Sequence, residues 1–219
     1  MTRSDQRSAP EAKRLPSWLP ITIIGGVFIV IIALTVAGRG SSTGGSSNSE
    51  SASVTLTQTQ PVEVSGVALP PRPEGPDPAV GTKAPEISGF DFAGHPVSFT
   101  NGAPRAVVFL AHWCPHCQAE VNELTAYLSN NEWPDVAEVQ TISTWVDSSR
   151  GNYPPSEWLH NVSWPFTVLA DDESFSAADA LGLSGTPMWV FIAADGTVVE
   201  RTGGLGPELL LEKLAALSG

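Results

Sequence analysis

Both cysteines of the chain stand in one pentapeptide, Trp113-Cys114-Pro115-His116-Cys117. With none elsewhere, they can pair only with each other or with another molecule. The loop that such a bond closes is too short to gain much from chain entropy, so a structural staple is a poor use of the pair. Reversible thiol–disulfide exchange suits the spacing better. If a helix starts at Cys114, its free N–H groups and positive dipole end favour a thiolate there. Pro115 fits the first helical position, where its missing N–H is not needed. Cys114 is then the nucleophile. Cys117, one turn on and on an apolar face with Val121 and Leu124, is the resolving thiol that attacks a mixed disulfide formed at Cys114. His116, between them, is expected to donate a hydrogen bond or positive charge to the thiolate and lower its pKa.

A reading from a different class is a copper or zinc chaperone that holds metal with Cys114, Cys117 and His112 or His116. No second CxxC or paired-histidine motif completes four ligands at a familiar spacing. Haem attachment needs histidine directly after the second cysteine, and Gln118 stands there. The dithiol reading calls for no cofactor and no metal. The chain also has no internal repeat, no GxGxxG after a strand and no P-loop. Its formal net charge of −12 falls wholly in residues 81–219, because six basic and six acidic side chains cancel over residues 1–80. An acidic domain excludes nucleic acid as a partner. The cluster Asp171-Asp172-Glu173 is read as solvated surface charge, with a patch for a basic partner as the other reading.

Several elements must position the pentapeptide. Ala106–Ala111 is an apolar run that predicts a buried strand, and Cys114 to about Asn130 predicts a helix with Cys117, Val121, Leu124 and Leu128 on one face. Val136–Val146, rich in β-branched residues, predicts a second strand, so strand, helix and strand imply a parallel pair with a right-handed crossover. Short helices are expected near Ser156–Asn161 and Ser174–Leu181. Met188–Ala193 and Val198–Thr202 flank Asp195-Gly196, a strong hairpin signal, and Pro207–Leu217 predicts a closing helix. The class is α/β, a central mixed sheet with flanking helices.

Ahead of this domain, residues 15–38 carry no charge, and the apolar run from Trp18 is about the 20 residues needed to cross a bilayer. Basic groups cluster before it, which orients the N-terminus inward. The expected organisation is a cytoplasmic tail over residues 1–17, a transmembrane anchor over 18–38, a disordered linker rich in Gly, Ser and Pro over 39–80, and the domain over 81–219. The domain would then be extracytoplasmic, on a single-pass anchor in the cell membrane. A cleaved signal peptide ending at Thr35-Val36-Ala37 is the competing reading.

Residues 81–219 resemble the thioredoxin-like fold, and more narrowly the membrane-anchored TlpA-like thiol:disulfide oxidoreductases of bacteria. Gly81 to Pro85 and Phe90 to Phe99 are similar to that family's opening strand and hairpin. Ala106 to Glu120 resembles its strand, active site and first helix, and Gly185-Thr186-Pro187 its proline loop. A peroxidase also shares the Gly81–Pro85 opening, but peroxidases of that kind lack the CxxC. The resemblance implies that Pro187 is cis and lies against the Cys114 sulfur. It implies that Thr186 offers backbone groups to an extended substrate, and that Trp113 and Pro115 belong to the same binding surface. It also makes Glu120 a relay for the proton that Cys117 must lose. Thioredoxin's buried aspartate, six positions before the first cysteine, is Val108 here, so that route is closed. The implied partners are cysteine-containing exported proteins and a membrane or exported redox partner that resets the dithiol. Pro115-His116 is the dipeptide of the oxidant DsbA, whereas Thr186 and the short segment over residues 147–165 fit a reductase, and the reducing direction is favoured.

Overall fold

The computed structural model describes residues 55–131 and 137–217. The expected anchor at residues 18–38 lies outside them; among the described residues no helix is long and apolar enough to cross a membrane. The strands and helices, in chain order, are β1 (Glu63–Ser65), β2 (Glu86–Phe90), β3 (Pro96–Phe99), β4 (Arg105–Leu110), α1 (Pro115–Leu128), β5 (Glu138–Ser143), α2 (Pro155–Asn161), β6 (Thr167–Ala170), α3 (Ser176–Ala180), β7 (Met188–Ile192), β8 (Val198–Thr202) and α4 (Pro207–Leu217).

The apolar run of β4 is buried at every position, and it lies at the centre of a five-stranded sheet in the order β6-β5-β4-β7-β8. It pairs in parallel with β5 and antiparallel with β7, which forms the expected hairpin with β8. Strand β6, only four residues long, was too short to stand out by periodicity; it pairs in parallel with β5. Alternate residues of β4 serve two cores. Ala106, Val108 and Leu110 pack with Cys117, Val121 and Leu124 of α1 and with Leu210 and Leu214 of α4. Val107 and Phe109 face the opposite core, with Ile142, Met188, Val190 and the small residues of α3. Leu128, expected on the apolar face of α1, is half-buried, and Glu120 takes a buried place there instead.

The expected linker needs correction over its second half. Residues 55–80 are part of the domain rather than a linker ahead of it. Strand β1 pairs with β2, extending the β2–β3 hairpin to three strands. Leu69 and Ala79 are buried in the second core. Leu69 N–H donates to Ala180 O at 2.9 Å, and Arg72 N–H to Gly182 O at 3.0 Å. Arg201, itself 3% exposed, grips this strap. Its guanidinium donates to both Asp77 carboxylate oxygens at 2.6 and 2.8 Å and to Pro70 O at 2.9 Å. Prolines and glycines promised little side-chain burial, but the backbone of the strap finds partners on the domain. Gly182 is required at this crossing: its φ is +67°, and a Cβ there would lie 2.2 Å from Pro70 O.

Asp171 is a second correction, because it is not surface charge. It is 1% exposed and accepts hydrogen bonds from Thr144 Oγ1 at 2.7 Å and from the N–H groups of Ala177 and Ala178 at 2.9 and 3.2 Å. Burial pushes its pKa up against those bonds.

Candidate active site

The site forms where β4 hands over to α1. Ala111 O accepts the Cys114 N–H at 2.9 Å, and Cys114, extended at φ −75° and ψ 119°, caps the helix with Pro115 in its first turn. The cap position is occupied by a sulfur that satisfies no helix N–H through a conventional side-chain cap. Those N–H groups are therefore left to act on the thiol. Both cysteines are free thiols; Cys114 is 6% exposed and Cys117 fully buried.

The Thr186–Pro187 peptide is cis, and the Cys114 thiol donates to Thr186 O at 3.2 Å. The fold thus brings the cysteine turn and the proline loop together across 72 positions of sequence. Burial alone would push the Cys114 thiol up. The backbone N–H of Cys117, the side chains of Thr186 and Cys117 and the backbone N–H of His116 outweigh it, so its pKa lies below the ordinary thiol value. Cys117 has the opposite balance, and burial pushes it up to about 12.

Glu120 lies one turn beyond Cys117, buried at 5% exposure. Its Oε1 accepts from Trp189 Nε1 at 2.5 Å and from Leu205 N–H at 2.8 Å. Among the described residues its Oε2 has no hydrogen-bond partner. Burial raises its pKa against those two bonds. Gly204 makes the close approach possible: a Cβ there would stand 2.9 Å from Glu120 Oε2 and 3.0 Å from Pro187 Cγ. His116, Glu120, Glu123, Thr186, Pro187 and Gly204 line one groove of about 450 Å³. His116 is exposed on its rim, Pro115 beside it is exposed too, and it is the backbone N–H of His116 that acts on the Cys114 sulfur.

Trp113 stands on the other flank. Its Nε1 donates to Trp145 O at 2.8 Å, and the Arg150 guanidinium carbon lies 3.7 Å from the ring centroid. His112, behind it, is fully buried with both ring nitrogens engaged: Nδ1 with Gly151 O at 2.8 Å, and Nε2 accepting from Asp147 N–H at 3.2 Å. Burial holds its pKa down. A nitrogen committed in this way is not free to bind a metal. Among the described residues, no three His, Cys, Asp or Glu side chains come together as a metal site.

Three partners of the site escaped the sequence reading. Trp189 and the Leu205 N–H, which hold Glu120, come from β7 and from the loop before α4. The Gly203-Gly204 pair was the only signal of that loop's close approach. Arg72, from the strap, lines a second groove with Pro73, Glu74, Ser184, Thr186 and Gly203, sharing the proline loop with the first.

The thioredoxin-like domain profile matches residues 99–218, more than half of the chain. The chain belongs to the thioredoxin-like family. Solved structures to which the chain is similar include the thioredoxin domain of a thiol-disulfide oxidoreductase from Bacteroides vulgatus, at 19% identity over 64% of this chain and 99% of that one, with a TM-score of 0.50. A thioredoxin-family thiol:disulfide interchange protein from Chlorobium tepidum matches at 20% identity over 64% and 97%, TM-score 0.48. A secreted Mycobacterium tuberculosis disulfide oxidoreductase homologous to E. coli DsbE matches at 24% identity over 59% and 94%, TM-score 0.46. In this thioredoxin-like domain, the paired thiols, the cis-proline loop and the buried glutamate occupy one end of the central sheet.

Proposed function

We propose that this chain is an extracytoplasmic, membrane-tethered thiol–disulfide oxidoreductase of the TlpA-like group, acting on cysteine-containing exported proteins in the reducing direction. The observation that carries the chemistry is the unequal pair: Cys114 at a helix start, against the proline loop and with a lowered pKa, beside a buried Cys117 pushed up to about 12. The Cys114 thiolate attacks one sulfur of a substrate disulfide, that S–S bond breaks, and the departing sulfur takes up a proton. Cys117 then loses its proton, its sulfur attacks Cys114, and the first substrate sulfur leaves as a thiol. The substrate gains two electrons and two protons, and Cys114 and Cys117 end as a disulfide. A membrane or exported dithiol donor returns the pair to its reduced form.

Glu120, whose Oε2 is unpaired beside Gly204 and Pro187, is the acceptor for the Cys117 proton. Substrate lies extended along Thr186 and Pro187, between His116 and Pro115 on one rim and Trp113 on the other. The uncharged run at residues 15–38 supplies the tether. Thr186 before the proline, and a segment between β5 and β6 that holds only α2, support the reducing direction.

Replacing Cys117 with Ala should trap substrate on Cys114 as a stable mixed disulfide, seen as a reducible adduct on non-reducing gels. The reduction potential against glutathione should lie near the thioredoxin value of about −270 mV. A value near about −120 mV would reverse the direction. Failure to trap, together with no equilibration with glutathione, would end the dithiol reading.

A further inference from the structure

We propose that Arg72, contributed by the strap, is a specificity-determining residue that selects substrates carrying an acidic side chain close to the reacting cysteine. The inference rests on the dithiol reading and concerns what that dithiol meets first. The described residues include six basic side chains, and five are occupied. Lys83 pairs with Asp195 and Lys213 with Glu200. Arg201 is held by Asp77, and Arg105 is buried against Thr100 and Asn101. Arg150 lies over Trp113 with Asp147 at 3.9 Å.

Arg72 is different. Its backbone N–H is fixed to Gly182 O, and its Nε donates to Arg201 O at 2.8 Å. Its charge acts on the Asp77 carboxylate from a distance, but among the described residues neither terminal guanidinium nitrogen has a hydrogen-bond partner. A planar guanidinium anchored through Nε and left with its outer edge unpaired is arranged to take a carboxylate. Its place gives that edge a purpose. With Thr186, Pro187 and Gly203 it lines a groove of about 440 Å³ that shares Thr186 and Pro187 with the first groove but includes neither Glu120 nor Glu123.

The two grooves meet at Thr186 and Pro187, so a chain laid over the Cys114 sulfur passes the carboxylates on one side and the guanidinium on the other. The cation is held in position before substrate arrives. Its strap is fixed by the bonds from Arg201 to Pro70 O and to both oxygens of Asp77, so little ordering is left for substrate to bring about. Glu74, exposed on the rim of the same groove, makes no ion pair with Arg72 and works against an acidic ligand.

The test uses the intact chain and disulfide-bonded peptides in which Asp, Asn or Lys is placed in turn at each position flanking the cysteine. Uncharged hydroxyethyl disulfide is the control for exchange itself. At one position kcat/KM should be about fivefold higher for Asp than for Asn, and lower again for Lys, falling together as salt is raised. Arg72→Glu should reverse the order of Asp and Lys at that position. Glu74→Gln, at an exposed side chain that makes no hydrogen bond or ion pair among the described residues, should widen the wild-type preference. If the peptides and the control all exchange but Asp, Asn and Lys are equivalent at every position, the inference about Arg72 is wrong while the dithiol reading stands. No exchange with peptides or control would overturn both.

Discussion

The cysteine turn and the strap meet at one site but are built by opposite means. The turn at residues 113–117 follows from neighbours in sequence: an apolar strand ends, proline enters the first helical turn, and the thiol at the junction inherits the helix N–H groups. The strap follows from residues more than a hundred positions away. Asp77 and Pro70 are held by Arg201, 124 and 131 positions on, and Arg72 reaches the proline loop only because they are. Chemistry that depends on one turn of helix is portable between proteins, whereas selectivity that depends on a strap is particular to one chain.

Removing the clamp is the severest way to separate the two regions. Arg201→Ala takes the guanidinium away from the carbonyls of Pro70 and Leu181 and from the Asp77 carboxylate, which keeps the Ala79 N–H. Breaking one partner of a buried ion pair costs roughly 3–5 kcal/mol, to be read from urea unfolding. Limited proteolysis should then cut within residues 66–80 while the cysteine turn keeps its lowered Cys114 pKa. A loss below about 1 kcal/mol would mean that the strap lies on the domain without belonging to it.

A smaller effect is expected inside the site. Trp189→Phe deletes the indole N–H donated to Glu120 and leaves its Oε1 with the Leu205 N–H alone. A hydrogen bond to a charged group contributes about 1.5–3 kcal/mol. Adding Glu120→Gln should recover part of that loss, because an amide tolerates the missing donor better than a carboxylate does. Urea unfolding of the single and double variants measures the coupling, and purely additive losses would show that Trp189 supports packing alone.

The same contrast decides what could be read from sequence. Strand β4, helix α1 and the β7–β8 hairpin were legible because each carries its own periodicity or turn signal within a dozen residues. The pairing of Cys114 with Thr186 and Pro187 was reached through resemblance, since spacing alone says nothing of contact across 72 positions. Residues 55–80 were misread because proline- and glycine-rich composition describes side chains, while this segment is held by its backbone, by Asp77 and by a single buried arginine. Asp171 was misread in the same way, as a charge in an acidic cluster. Beside the adjacent Asp172 N–H, its partners are the Thr144 hydroxyl and the N–H groups of Ala177 and Ala178 in α3, which an acidic cluster in the sequence does not imply.

The smallest effect is one of pH, and its sign differs between the two regions. Asp77, in the strap, has its pKa lowered below 3.8, chiefly by the hydrogen bond from Arg201 and against the opposing effect of burial. A carboxyl that releases its proton more readily in the folded chain stabilises the fold above 3.8, and this contribution is lost as pH falls through the lower folded value. Glu120, in the site, has its pKa raised above 4.5, chiefly by burial. The unfolded chain ionises there first, so stability is lost as pH rises from 4.5 through the folded value. Asp171, raised in the same direction, adds to that decline. Glu120→Gln keeps an oxygen for Trp189 and Leu205 and removes the ionisation. The variant should therefore match the parent protein near pH 4 and exceed it in stability near pH 7, with a shallower decline between. Below pH 4 both should lose the Asp77 contribution alike, and cleavage at the strap should rise first. Thermal unfolding from pH 3 to 8, with proteolysis at each pH, measures both limbs. Identical slopes for parent and variant above pH 4.5 would show that Glu120 enters the folded state already ionised.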